Sequence, residues 1–597
     1  MPTSTSRGDA RDGHAFGQRL GLRASPLHAA LGGVAAGVVA GATMALLRWT
    51  LQVRSVPERL LESTLLLVSP DLLETSLQRF GFEAKHYALA LAVAATLGIA
   101  AALGTFVLAR GWSGRALLAL GPGLWLSAML GLMPLTGAGW FATELIDGTW
   151  TAILGYLAVA LAYAGTLAGF RLVAQALGAS PVTADPNQVR RAALLGGAGA
   201  LAALISTYAV ERAGVRQGLS EVRVLDPPDP HLSQAQPGTG ASASASGAPG
   251  PTVQATADPP TTPETAFPQP RPLRPMKRDK GGAVLAAGRR AGELTDFITS
   301  NDDFYVVTKN SVADPVVDAR TWRLRVDGDV DHPVELDYTS LRRLPAIEVT
   351  KTVECISNLA AKCDLAPFGC DLISTARWKG VRLSSLLELA GGAAPTATSV
   401  AVIGADEYTS ALPLSVALDP DTLLVYEMNG EVLPREHGYP ARLLVPGRYG
   451  MKNPKWVIGL RPMTREFLDW YGQRSWSTDA VVKTMSRIDL PSRSADLAPG
   501  EYNIAGIAYG GDRGISRVEF SVDNGLSWQT AEFVEPPVAS DAWVRWIGRF
   551  TAKPDEVLPV VARATDGAGD VQVEEFSLPQ PDGSSGWPSF DIQGRRR

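Results

Sequence analysis

Three cysteines are the scarcest reactive groups in a chain of 597 residues, and they fall close together. Cys355 stands in Thr352-Val-Glu-Cys-Ile-Ser-Asn358, where an alternating, strand-like run gives way to a small polar loop. A thiolate held at a strand end is a good ligand for a metal that prefers sulfur. A buried structural thiol is the plainer reading of any lone cysteine. Cys363 and Cys370 flank Asp364-Leu-Ala-Pro-Phe-Gly369 just beyond it. Outside the cytoplasm two cysteines this near could form a disulfide. The rival arrangement, a three-cysteine cluster that includes Cys355, has a spacing that fits no zinc pattern.

The elements that must hold these thiols divide the chain sharply. Net charge is -5, and no run interleaves basic and aromatic side chains, so nucleic acid is not an expected partner. Residues 1–215 carry five apolar stretches, at 28–47, 87–109, 116–133, 150–174 and 190–210. Each approaches the roughly 20 residues that a helix needs to cross a bilayer. Their Ala, Gly and Leu content suits close packing in lipid. Loop charge sets the orientation: Arg110, Arg115, Arg171, Arg190 and Arg191 mark the inner side, while residues 134–149 include Glu144 and Asp147 but no Lys or Arg. A cytoplasmic N-terminus and five crossings put the C-terminal half outside the cell membrane. Gln188-Val-Arg-Arg-Ala-Ala-Leu-Leu-Gly196 is also similar to a twin-arginine signal, which exports folded proteins. An inside-positive anchor accounts for Arg190 and Arg191 equally well. Only His28 and His86 lie near the spans, both at edges, and Cys-x-x-Cys-His is absent, so no haem is expected in this chain. The membrane region reads as an anchor, with quinone or partner docking as the alternative.

Residues 216–290 are rich in Pro, Ala, Ser, Gly and Thr and read as a disordered tether. From 291 to 485 short elements mix. Trp322–Gly328, Glu348–Glu354, Val400–Gly404, Leu423–Glu427 and Ala441–Pro446 read as strands, and Ser340–Pro345 and Leu383–Ala390 as helices. This is an α+β domain rather than an alternating βαβ array. Residues 490–581 have the cadence of an immunoglobulin-like β-sandwich, with one of its strands at Trp528–Phe533 and turns at Asp523-Asn-Gly525 and Asp566-Gly-Ala-Gly569. Residues 582–597 read as a loose tail.

Motifs in order across the α+β segment resemble the sulfite oxidase family of molybdopterin enzymes. They are Phe304–Asn310, Val353-Glu-Cys-Ile-Ser-Asn358, Ile373-Ser-Thr-Ala-Arg-Trp378, Tyr426-Glu-Met-Asn-Gly430, Leu433–Pro440, Arg442-Leu-Leu-Val-Pro-Gly447 and Gly450-Met-Lys-Asn-Pro-Lys-Trp456. Val518–Gly525 with Ser527 and Trp528 is similar to the family's dimerisation domain. The resemblance leaves the membrane half unexplained. It implies that Cys355 is the protein thiolate on molybdenum and that Asn310, His437, Arg442, Lys452, Asn453 and Lys455 surround the pterin phosphate. Arg442 can clamp an anion bidentately, and the lysines add point charges. Tyr408 matches the family's active-site tyrosine, whose phenol can hydrogen-bond an oxo group or a bound oxyanion.

On the substrate side the chain departs from the sulfite pattern. Lys309 stands where an arginine is implied, Ser311 where a histidine, Ala360 where a second arginine and Phe368 where a tryptophan. Lysine does not replace arginine in a bidentate oxyanion contact. The expectation is a membrane-anchored molybdenum oxidoreductase, with Cys355, Tyr408 and Lys309 at its reacting centre and sulfite oxidation as the leading reaction. Reduction of S-oxides such as methionine sulfoxide is the alternative, and a metal-free binding module the third reading. Electrons would leave singly to a separate cytochrome or quinone, and the C-terminal domain would form a homodimer.

Overall fold

The computed structural model describes residues 26–64, 83–178 except 144, 146 and 147, 223–224, 270, and 292–595 except 311–313, 366–368, 466 and 494. The expected fifth span at 190–210 with Arg190 and Arg191, nearly all of the tether, Ser311 and Phe368 lie outside the described residues. The chain divides into two compact units, residues 1–69 with 83–220, and residues 70–82 with 221–597.

In the first unit, sequences apolar around their whole circumference form the long helices Pro26–Leu51, Glu83–Ala109 and Thr149–Gly178, with Gly114–Ser127 between them in sequence. Among the described residues four stretches are long and apolar enough to cross a membrane: Ala29–Leu51, Tyr87–Ala109, Gly114–Leu135 and Thr149–Gln175. Small residues make the helix contacts. A Cβ on Gly33 would lie 2.3 Å from the Ala101 carbonyl oxygen, and one on Gly104 2.8 Å from Gly33 Cα, so these two backbones touch. Other large apolar side chains face outward, Leu91 at 72% and Ile99 at 71% exposure, while Leu117, Met133, Tyr163 and Leu167 are buried between the helices. At the end of the first helix Arg48 Nε donates to Glu58 Oε1 at 3.0 Å. Glu58 also caps the helix Val56–Thr64, accepting from Ser55 N at 2.8 Å.

In the second unit, the described residues form four sheets. One orders Arg223–Val224, Val334–Asp337, Arg323–Val326, Val457–Met463, Ser399–Gly404 and Thr409–Pro413; its first strand comes from the segment read as tether. The next orders Arg442–Leu444, Leu423–Met428, Ile373–Arg382 and Ile347–Glu354, with Glu431–Val432 paired to Leu423–Met428. Val353, Trp378, Leu423, Val425 and Leu444 pack into one core beneath it. Ile347–Glu354 starts partly exposed and ends in four buried residues, so it runs from the surface into that core.

The remaining sheets order Met485–Leu490, Gly500–Tyr509, Val544–Ala552 and Glu532–Phe533, and Asp496–Leu497, Ser589–Gly594, Val557–Asp566, Ile515–Ser521 and Gln529–Thr530. Ile504, Trp546 and Phe550 of the first share a core with Val518, Phe520, Val560 and Ile592 of the second, so the two sheets pack face to face. The strand expected at Trp528–Phe533 is instead two short strands, Gln529–Thr530 and Glu532–Phe533, in different sheets. The loose tail is also corrected. Ser589–Gly594 pairs antiparallel with Val557–Asp566 and parallel with Asp496–Leu497. Its core-facing pair, Phe590 and Ile592, is too brief an alternation to read from sequence; the neighbouring strands create the position. Ile592→Ala should cost about 2–4 kcal/mol, read as a lower denaturant midpoint for the C-terminal domain. An unchanged midpoint would mean that Ser589–Gly594 contributes nothing to that core.

Candidate active site

Ile347–Glu354 pairs along its whole length with Ile373–Arg382. The pairing continues past the strand end, where Cys355 N donates to Leu372 O at 2.9 Å. The chain then turns, with Asn358 N donating to Cys355 O at 2.9 Å. The Asn358 side chain locks that turn: Nδ2 donates to Glu354 Oε1 at 2.8 Å and Oδ1 accepts from Leu372 N at 3.0 Å. Cys355 is therefore held by backbone on both sides and is buried. Burial pushes its thiol up to about 11, so near neutral pH it keeps its proton unless a metal displaces it. Cys363 and Cys370 are joined in a disulfide, with Cα atoms 5.1 Å apart, closing the loop that follows. Cys355 takes no part in it.

Cys355 opens onto a cavity lined from distant stretches of chain, including Phe304–Lys309, Ile356, Asp406, Tyr408, His437, Arg442, Asn453, Lys455 and Tyr471. Gly450 also lines it; a Cβ there would lie 2.9 Å from Tyr305 Oη and 3.3 Å from Glu354 O, so a larger residue would crowd the Tyr305 hydroxyl. Burial raises the phenols of Tyr305, Tyr408 and Tyr471, keeping all three neutral. The Tyr408 hydroxyl donates to Met451 O at 2.5 Å.

Positive charge enters the cavity from Arg442 and Lys455. Arg442 is 5% exposed, and burial draws its pKa down to about 10, which leaves it charged at neutral pH. Its Nη1 and Nη2 donate to the carbonyls of His437 and Asn453 at 3.2 and 3.3 Å, and its Nε has no hydrogen-bond partner. Lys455 Nζ donates to Glu436 O at 3.0 Å and lies 4.3 Å from the Trp456 ring centroid. Burial lowers its pKa. Among the described residues neither cation forms an ion pair. Burial also drives His437 down to about 3, against the raising effect of the Asn301 carbonyl and with help from Arg442 and Lys455. Its Nε2, 3.0 Å from Asn301 O, must then carry the proton, which leaves Nδ1 as an acceptor.

Several expected contacts differ. Lys452 does not line the cavity: it is 2% exposed, and its Nζ is paired with Asp469 Oδ2 at 2.6 Å and donates to Ala411 O at 3.0 Å. Asn453 lines the cavity, but its side chain pins the local loop, Oδ1 accepting from Val445 N at 2.8 Å and Nδ2 donating to Tyr449 O at 2.9 Å. The Asn310 amide is engaged by Thr308, Asp314 and Asp406. His437, as an acceptor, suits an N–H donor better than a phosphate oxygen. Lys309 lines the cavity, its Nζ donating to Asp406 O at 2.7 Å. Ala360 packs in an apolar cluster with Ile356, Tyr449 and Met451. Sequence reasoning missed Tyr305, Asp406 and Tyr471. Asp406 had a local signal, lying two residues before Tyr408, whose N donates to its Oδ1 at 3.2 Å. Tyr471 had none.

A soft donor at Cys355, a buried cation at Arg442 and a half-buried one at Lys455, neither in an ion pair among the described residues, fit a metal-bearing, phosphate-bearing cofactor. A buried charge without a partner is costly, and an anion removes that cost. Comparisons with known proteins agree. Residues 311–471 match the oxidoreductase molybdopterin binding domain, and residues 477–578 the Mo-co oxidoreductase dimerisation domain. Sulfite oxidase of Gallus gallus is 31% identical over 319 residues, 47% of this chain and 69% of that protein. Sulfite oxidase of Arabidopsis thaliana is 29% identical over 334 residues, 48% of this chain and 84% of that one. The crystal structure of the sulfane dehydrogenase SoxCD from Paracoccus pantotrophus is similar at 24% identity and a TM-score of 0.45, covering 50% of this chain and 82% of that one. The chain is thus a molybdenum-dependent oxidoreductase and belongs to the sulfite oxidase family of molybdopterin enzymes.

Proposed function

We propose that this protein is a membrane-anchored enzyme whose catalytic half lies outside the cell membrane and moves an oxygen atom to or from a small sulfur compound, with sulfite oxidation the leading reaction. The observation that carries this reading is one cavity with a buried thiol, the buried Arg442 and the half-buried Lys455, neither cation in an ion pair among the described residues. When bound, the cofactor supplies two-electron oxygen-atom exchange at molybdenum. Cys355 provides the protein thiolate. Arg442 and Lys455 bind the phosphate, and neutral His437 accepts from an N–H of the pterin. Lys309 meets a negative oxygen of the substrate, and Tyr408, its proton committed to Met451 O, accepts rather than donates toward the reacting atoms. Sulfite is favoured because the relatives that match over most of their length are sulfite oxidases.

A second reading, reduction of a neutral S-oxide, draws on the lining near Cys355. Tyr305, Tyr408, Tyr471, Met451 and Ile356 are uncharged, and Lys309 is the cation that accompanies Tyr408. Electrons pass singly to a separate partner, a cytochrome or quinone, and the two-sheet C-terminal domain, read as immunoglobulin-like, makes a homodimer. The N-terminal helices anchor the protein with the N-terminus inside. Trp49, Trp140 and Trp150, at 80, 62 and 59% exposure, stand at span ends on the side assigned outside, as an interfacial aromatic belt would.

Three outcomes follow for protein from a cofactor-competent host. Cys355→Ser should lose catalysis entirely, judged by turnover per bound molybdenum; full activity would end the enzyme reading. Arg442→Gln should lower cofactor content at least tenfold while the fold remains, measured as molybdenum per folded chain, since a charge-assisted phosphate contact is worth about 1.5–3 kcal/mol. Sulfite should reduce an artificial one-electron acceptor faster than the reduced enzyme turns over methionine sulfoxide. The reverse order would transfer the assignment to S-oxide reduction.

A further inference from the structure

We infer that Asp541, in the C-terminal domain, is a positioning residue for the metal ligand, tying the strand that ends at Cys355 to the segment that carries Arg442. The inference rests on Cys355 being the molybdenum thiolate.

Ile347–Glu354 is the edge strand of its sheet. An edge strand has one row of backbone groups without a partner in the sheet. Here the C-terminal domain supplies partners, three residues before Cys355. Thr352 N donates to Asp541 O at 2.8 Å, and the Tyr509 hydroxyl lies 3.1 Å from Thr352 O. Thr352 Oγ1 accepts from Trp543 N at 2.8 Å and also meets Thr375 Oγ1 on the neighbouring strand. The open edge is therefore closed by another domain just where the strand delivers its ligand.

The Asp541 side chain extends the clamp. Its carboxylate pairs with Lys351 Nζ, which is 3% exposed and also donates to Val445 O at 2.7 Å. The Tyr509 hydroxyl donates to Asp541 Oδ1 at 2.7 Å, and Gly447 N lies 3.4 Å from the same oxygen. Val445 and Gly447 follow Arg442 on the segment Arg442–Gly447. One carboxylate thus braces both the thiol end and the phosphate end of the cavity. Removing it would strand the Lys351 ammonium in the interior, without a counter-charge. A supporting group of this kind matters because reacting geometry must hold to within a fraction of an ångström. The domain matched to dimerisation thereby also sets the geometry of the catalytic domain.

The test uses the full chain loaded with cofactor, comparing Asp541→Asn, Asp541→Glu and Tyr509→Phe with the unaltered protein. The readouts are molybdenum per chain, the thiolate-to-molybdenum charge-transfer absorption, the Mo(V) resonance signal and kcat. Asp541→Asn should keep molybdenum yet alter the absorption or resonance signal and lower kcat about 10–100-fold, the scale of a small misplacement of reacting groups. Asp541→Glu should recover part of the loss, and Tyr509→Phe should show the same spectral change in milder form. Unaltered spectra and kcat at full loading in both Asp541→Asn and Tyr509→Phe would overturn the inference. If Asp541→Asn does not fold, Tyr509→Phe decides alone by the same readouts. A Cys355→Ser control separates the two claims: molybdenum retained with an unchanged charge-transfer band would remove the ligand reading, and this inference with it, whatever the Asp541 variants show.

Discussion

The register between Ile347–Glu354 and Ile373–Arg382 is the constraint on which the site depends. Successive residues of a strand point to opposite faces, so a slip by one residue would exchange the faces of the four buried residues that end Ile347–Glu354 and take Val353 off its core. Glu354 pairs with Ile373, and the next step, Cys355 to Leu372, carries the register beyond the strand. The turn at Asn358 is bonded back to both strands. The thiol is thus placed by backbone geometry rather than by side-chain packing, which suits the metal-ligand role proposed for Cys355.

Electrostatics then divides the cavity. Arg442 and Lys455 bring positive charge to the cavity lining, and no described carboxylate forms an ion pair with either. His437, equally buried, is kept neutral by the same surroundings. Near Cys355 the lining is tyrosine, methionine and isoleucine. Burial has opposite consequences for these groups: it keeps thiol, phenols and imidazole uncharged, while arginine remains an ion because its proton is too tightly held to give up. The result is a strong anion site beside a nearly neutral one, which explains why the cofactor class is far better defined than the substrate.

The long apolar helices and the catalytic fold draw on different physics. In the first unit Gly33 and Gly104 let backbones touch, and apolar side chains such as Leu91 and Ile99 also cover the outer face. In the second, aromatic and branched residues fill the interior, as Trp378 and Trp546 do. A single composition average hides both solutions.

Much of this was legible in the sequence because it follows from local pattern. Apolar length marked four of the helices, alternation marked the strand leading to Cys355, and the ordered motifs marked the family. Partner choice was not legible. Lys452 and Lys455 are the same residue type three positions apart, yet one is neutralised by Asp469 and the other lines the cavity. Ser589–Gly594 has the composition of a tail and becomes a strand because two neighbours offer it hydrogen bonds. Tyr471 and Asp541 carried no sequence signal, since their roles arise from segments far apart in the chain meeting in space, and Tyr305 lay within the motif Phe304–Asn310 without being singled out. The sequence by itself determined which residue types were available, the local elements and the cofactor class, all of which short-range periodicity and fixed motifs encode. Tertiary structure alone decided which charges find counter-charges and which stay unpaired beside the thiol, because a buried charge is set by whatever the fold brings within a few ångströms of it.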